Sequence, residues 1–219
     1  MGRSLIARLA VLIRVATLVP RAPLILLVVL ALACSAPPPD DVSYLDTIMA
    51  DRAEKDRAFR EGSDSPVPLE RRHAILPLNY YPPDLDYRVP AELQVAEERP
   101  VFEVPTSTGQ FRPMQRIGVL EFTLEGQSRT LSALVEAENP ELDRLFVPFA
   151  DTTNGSESYE AGRYLDLDLT ATGIYDLDFN RAYHPYCYYD DSYECPFPPP
   201  ENRLPAAVHA GERLPIPSP

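Results

Sequence analysis

Residues 159–211 read YEAGRYLDLDLTATGIYDLDFNRAYHPYCYYDDSYECPFPPPENRLPAAVHAG, and the first half of this stretch decides the fold class. Leu165, Leu167 and Leu169 alternate with Asp166 and Asp168, while Leu177 and Phe179 alternate with Asp176 and Asp178. Alternation with period two marks a strand buried on one face. Between the runs, Ala171-Thr172-Gly173 fits a three-residue hairpin loop with glycine at the left-handed position. That loop sets Thr170 opposite Ile174 and so predicts a register. Leu167 then faces Leu177 and Leu165 faces Phe179 on the core side, with Asp168 facing Asp176 and Asp166 facing Asp178 on the other. Like charges directly opposite one another cost up to roughly 1 kcal/mol per pair. Compensation is therefore expected, and three forms stay open: plain solvation of an outward face near Arg163 and Arg181, a divalent cation held by clustered carboxylates, or a carboxylate pair working as acid and base on a glycan. Charge runs are most often solvated faces, and no glycine-spaced calcium loop is present.

Following the chain outward, Tyr183, Tyr186, Tyr188, Tyr189 and Tyr193 crowd a loop that also carries Asp190, Asp191 and Glu194. A tyrosine ring supplies apolar area and its hydroxyl a hydrogen bond, the usual lining of a carbohydrate or peptide pocket; such loops as often close the open end of a barrel. Pro198-Pro199-Pro200 then stiffens the chain before a last short strand over residues 206–210, and residues 214–219 read as a disordered tail.

The chain has three cysteines. Cys34 ends an N-terminal segment with Arg3, Arg8, Arg14 and Arg21, no acidic residue and an apolar run over residues 22–33. That segment, residues 1–34, is read as an export signal, and Leu30-Ala31-Leu32-Ala33-Cys34 as a lipobox-like end with Cys34 lipidated. The departures are Ala31, where leucine is usual, and the alternative of plain cleavage after Ala33. Cys187 and Cys195, with seven residues between them, are then free to form a disulfide in an oxidising compartment. A zinc site using His184 would be one ligand short unless an aspartate completed it; no metal and no cofactor are expected.

Loss of the four leader arginines takes the net charge from −13 to −17. Such acidity excludes nucleic acid, whose phosphates need lysine and arginine clusters. The membrane is expected as a partner only through the lipid anchor, and Ser35 after the cysteine favours the outer membrane where the host has one.

Residues 35–42, with Pro37-Pro38-Pro39, read as a stiff tether. Residues 43–62 read as an amphipathic helix with Ser43 and Asp46 in a capping-box-like pair, and with Leu45, Ile48, Met49 and Phe59 on its apolar face. The β-rich domain is expected over residues 63–213. Alternation at Leu93 and Val95, at Val101 and Val104, at Leu120, Phe122 and Leu124, at Leu131, Ala133 and Val135, and at Leu145, Val147 and Phe149 predicts short strands, with a turn at Glu125-Gly126-Gln127. Several short strands at near-regular spacing predict an antiparallel β-sandwich or partly open β-barrel with one N-terminal helix.

The strings TSTGQFR, RIGVLEF, LFVPFADTTNG, YEAGRYLDL, LDFNRAY and CPFPPPENRLPAAVHAGE together resemble the bacterial domain-of-unknown-function family numbered 1684, over roughly residues 101–212. The resemblance implies a β-rich domain and an uncharacterised, exported, lipoprotein-like member. It transfers no catalytic residue, and family members usually carry asparagine where this chain has His184.

No nucleophile elbow, phosphate loop, dinucleotide fingerprint or HExxH motif occurs. The expected function is a lipid-anchored envelope domain that binds a ligand or serves structurally. The alternative is a hydrolase using Asp166, Asp178 or neighbours on a glycan. The candidate site gathers Asp166, Asp178, Asn180 and Arg181 beneath Tyr186, Tyr188 and Tyr189, with Arg203 or Arg181 pairing a carboxylate.

Overall fold

A computed structural model describes residues 39–138 and 143–215. The leader, Cys34 and the first residues of the tether lie outside it, as do residues 216–219 of the expected tail. Leu214 is described, and its N–H donates to the Glu157 carbonyl at 2.7 Å.

The protein is mainly β: seven antiparallel strands in a nearly closed, barrel-like sheet, with one long N-terminal helix and one short helix. The strands are β1 (Arg88–Val95), β2 (Val101–Pro105), β3 (Phe111–Leu124), β4 (Gln127–Glu136), β5 (Arg144–Phe149), β6 (Arg163–Asp168) and β7 (Ile174–Asp178). They follow the order β6-β5-β4-β3-β1-β7, and β2 also pairs with β3. The length of β3 explains this arrangement. Its first half takes β2, with Val104 opposite Arg112, and its second half takes β1, with Leu93 opposite Leu120. A register shift between Arg116 and Gly118 separates the halves; a Cβ at Gly118 would lie 2.4 Å from the Gln94 carbonyl oxygen. β3 and β4 form the expected hairpin, turned by Glu125 and Gly126 alone, both at positive φ (51° and 72°). Two left-handed residues in succession match the right-handed strand twist.

The predicted pairing of β6 with β7 does not form. β6 pairs with β5 and β7 with β1, although residues 169–173 bring the two strands close together at the ends of the sheet path. Charge explains the exchange of partners. Asp168 now faces Arg144 and Asp166 faces Phe146. Asp178 faces Arg88, and Arg88 binds Asp176 at 2.7–3.0 Å. No aspartate meets another across these ladders, so the like-charge cost is avoided by topology. The inward faces are as expected: Leu165, Leu167, Leu177 and Phe179 share one core with Leu120, Phe122, Leu131, Val147 and Phe149.

Two further expectations are corrected. α1 (Pro39–Glu61) begins before Ser43, since a proline is tolerated in a first turn and Asp41 suits the positive helix end. Its inward stripe is Ile48, Arg52 and Phe59, buried, with Tyr44 and Lys55 half-buried, whereas Met49 is 55% exposed. The helix docks mostly through polar groups. Arg52 donates to the carbonyls of Tyr81 (2.9 Å) and Asn180 (3.2 Å), and Asp56 accepts from Leu78 N–H (2.8 Å). Residues 206–210 form no strand. The carbonyls of Val208, Ala210 and Glu212 instead accept from the fully buried Arg163 guanidinium, which also binds Asp151 at 2.7 Å. A buried cation held by four acceptors at its two terminal nitrogens, with Nε unpartnered, replaces a ladder here.

Candidate functional site

The tyrosine loop folds back over the outer face of the sheet, and two anchors set its path. Tyr183 exchanges backbone hydrogen bonds with Tyr164 on β6 (2.9 and 3.1 Å). At the far end Ser107 N–H donates to the Cys195 carbonyl (2.9 Å) and Pro196 bridges Thr106, just beyond β2. Between these anchors the loop roofs a cleft of about 740 Å³. Met114, Val135, Phe146 and Tyr164 from β3 to β6 make the floor; Tyr183, Tyr186 and Tyr193 line the roof; Lys55 and Phe59 of α1 form one wall. Six of these side chains are aromatic rings. Several meet edge to face, Phe146 with Tyr164 at 4.7 Å and Tyr186 with Tyr193 at 5.3 Å between centroids. Burial, reinforced by Asp166, pushes the Tyr183 phenol well above its ordinary pKa, and burial does the same for Tyr164. Both phenols therefore remain neutral hydrogen-bonding groups.

The ionic groups around the cleft are already engaged. Tyr183 Oη donates to Asp166 at 2.8 Å. Arg112 pairs with Glu136 (3.1 Å) and Glu194 (3.3 Å), and Arg144 lies 3.8 Å from Asp168. Lys55 reaches through the wall to the buried Glu212 at 2.5 Å, its ammonium also lying over the Phe59 and Tyr183 rings. Glu212 accepts as well from the His184 backbone N–H and from Tyr189 Oη, both at 2.8 Å. Burial alone would raise the Glu212 carboxyl; Lys55, His184 and these hydrogen bonds outweigh it and hold the group below the usual carboxylate range. His184 goes the other way: burial depresses its pKa to about 4 against the opposing pull of Glu212.

The predicted site is divided among three places. Asp166 and Tyr186 line the cleft. Tyr188 and Tyr189 stand behind it, packed with Phe59 and Leu78, and Tyr189 serves Glu212. Asp178 and Asn180 are buried beneath α1. There Tyr44 Oη donates to Asp178 at 2.9 Å and Asn180 N–H at 3.0 Å, with Arg181 Nε at 3.3 Å. Asn180 Nδ2 donates in turn to the Asp84 carbonyl at 2.7 Å. Arg181 also binds Asp51 of α1 at 2.8 Å, so this group clamps the helix to the sheet. Arg203 is exposed and engages Ala150 through its backbone. Asp166 and Asp178 are not brought into one pocket, because the ladder that would have aligned them is replaced by the β5–β6 and β1–β7 ladders.

Cys187 and Cys195 are free thiols in the structure, not the expected disulfide. Both are buried among Tyr164, Tyr159, Tyr183 and Tyr193, and Cys187 N–H donates to Cys195 Sγ at 3.2 Å. His184 does not join them: its Nε2 accepts the Tyr159 N–H at 3.2 Å. Among the described residues no cluster of three or more His, Cys, Asp or Glu side chains is arranged to hold a metal.

The sequence reading missed Lys55, Phe59, Arg112, Arg144 and Glu212. A polar stripe at helical spacing (Tyr44, Arg52, Lys55) was the one available signal for α1 docking, and it looks the same as a solvated face. Glu212 lies in a stretch with no periodicity, so nothing local marked it as buried.

No functionally curated protein matches this chain. The solution NMR structure of an uncharacterised protein from gene locus rrnAC0354 of Haloarcula marismortui is similar, with a TM-score of 0.63 and 42% identity over 80% of this chain and 96% of that one. The model of a protein family of unknown function, DUF1684, matches residues 76–213, which hold every strand, the tyrosine loop and Glu212, and the chain belongs to that family.

Proposed function

We propose that this chain is a lipid-anchored domain of the cell envelope that binds a small neutral, hydroxylated ligand of glycan type in the aromatic cleft, without catalysis. The observation that carries the reading is the cleft itself: about 740 Å³, with six aromatic rings, its lining cations paired with carboxylates and Asp166 hydrogen-bonded by the Tyr183 hydroxyl. Its volume falls in the range of roughly 300–1,000 Å³ usual for small-molecule sites. Paired charges offer hydrogen bonds without demanding a counter-charge, and exposed ring faces suit the apolar faces of sugars. The separation of Asp166 from Asp178 takes support from the paired-aspartate hydrolase.

Calorimetric titration with short neutral oligosaccharides of glucose and of N-acetylglucosamine tests the ligand class. Saturable binding is expected, weakened about three- to tenfold by Tyr186→Ala, an exposed ring at the cleft mouth whose stacking is worth roughly 0.5–1.5 kcal/mol. No saturable binding, or binding indifferent to Tyr186→Ala, refutes the assignment. The anchor rests on the leader and Cys34, outside the described residues. Cys34→Ser should move the protein from the membrane fraction to the soluble fraction, and an unchanged membrane fraction overturns it.

A further inference from the structure

The Cys187–Cys195 pair stands apart from the binding reading above. Cys195 lines the cleft, while Cys187 lies behind it on the single 3-10 turn Tyr186–Tyr188. The two are in contact through Cys187 N–H and Cys195 Sγ. Tyr159 Oη stands 3.9 Å from Cys187 Sγ, and Cys195 N–H donates to Ser107 Oγ at 3.1 Å. A thiolate is the reactive form of cysteine, and donors around sulfur stabilise it. The neighbouring Cys195 thiol, with Ser107 and Tyr159, lowers the Cys187 thiol, and Cys195 is raised in return. Cys187 is thus the more readily ionised of the two, beside a second thiol that opens on a cleft large enough for a small molecule.

We infer that Cys187 and Cys195 form a reversible dithiol–disulfide couple that exchanges with small-molecule disulfides entering through the cleft. The incoming disulfide meets Cys195, whose proton passes to the Cys187 thiolate. Cys195 Sγ attacks one sulfur, the S–S bond of the small molecule breaks, and one thiolate leaves. Cys187 then gives up its proton to that leaving group and attacks Cys195 Sγ, expelling the second thiolate, which is protonated from solvent. The protein dithiol is oxidised by two electrons and one disulfide is reduced to two thiols.

The test uses the full chain carrying Cys34→Ser, so that only this pair is counted. The protein is equilibrated with mixtures of reduced and oxidised glutathione, quenched with an alkylating agent and weighed. A Cys187–Cys195 disulfide whose fraction rises and falls reversibly with the glutathione ratio is expected. A bridge that persists in excess reduced glutathione, or thiols that never oxidise in excess oxidised glutathione, overturns the inference. The order of attack is read from single variants at alkaline pH, where each remaining thiol ionises without its partner and access decides the rate: Cys187→Ser should trap a glutathione adduct on Cys195 at least tenfold faster than Cys195→Ser traps one on Cys187. Equal trapping rates overturn the assignment of Cys195 as the entry point. Neither measurement involves the glycan-type ligand, so the two readings fail separately.

Discussion

Acid should loosen this protein through one buried imidazole. His184 is almost wholly buried, with Nε2 committed to the Tyr159 N–H and the ring packed against Tyr188 at 4.5 Å between centroids. In the unfolded chain its pKa is 6.5, while in the fold burial holds it at about 4. The folded value is the lower one, so between those limits the unfolded state binds more protons and stability falls as pH drops. The cost is absent above pH 6.5 and complete near pH 4, where it reaches about 3 kcal/mol for a shift of this size. From pH 7 to pH 5 the linkage relation puts the loss at about 2 kcal/mol. The Glu212 carboxyl facing the ring is held below the usual carboxylate range, so it does not share this window. Urea unfolding at pH 7 and pH 5, at one ionic strength, measures the loss directly. His184→Asn removes the titrating group while keeping an acceptor in reach of Tyr159. The wild type should lose about 2 kcal/mol more than the variant over this interval. Parallel losses in both proteins would refute the argument.

Two further substitutions probe the buried polar framework. Asp178→Asn removes the charge that holds Tyr44, the Asn180 N–H and Arg181, and should destabilise the fold by roughly 2–4 kcal/mol, as loss of a hydrogen-bonded buried carboxylate does. A thermal midpoint within a degree or so of wild type would contradict the clamp. Arg163→Met strands Asp151 and three carbonyls, at about 3–5 kcal/mol. Adding Asp151→Leu should recover part of that loss in circular-dichroism melts, and full additivity of the two changes would show that the pair is not coupled.

The sequence alone determined the seven strands that form and their inward faces, although it also predicted a strand over residues 206–210 that does not form. Leu165, Leu167, Leu177 and Phe179 alternate with aspartates, and burying an aspartate row is too costly for the opposite face to be chosen. The export expectation for residues 1–34 rests on charge and hydropathy along a leader, which are local properties, and those residues lie outside the described ones. Turn chemistry was local too: Gly173 lies at positive φ where the loop requires it. Beyond the β3–β4 hairpin, only the tertiary structure decided which strands pair. A hairpin between β6 and β7 satisfies every local rule, yet β5 supplies Arg144 opposite Asp168 and β1 supplies Arg88 for Asp176, and those partners lie far away in sequence. The candidate site followed that choice. Asp166 went to the cleft and Asp178 to the helix clamp, while Lys55, Arg112 and Glu212 arrived from segments whose patterns say nothing of one another. Alternation reports which face of a strand is dry, but the identity of the neighbour across a ladder or a cleft is an energetic competition among distant segments.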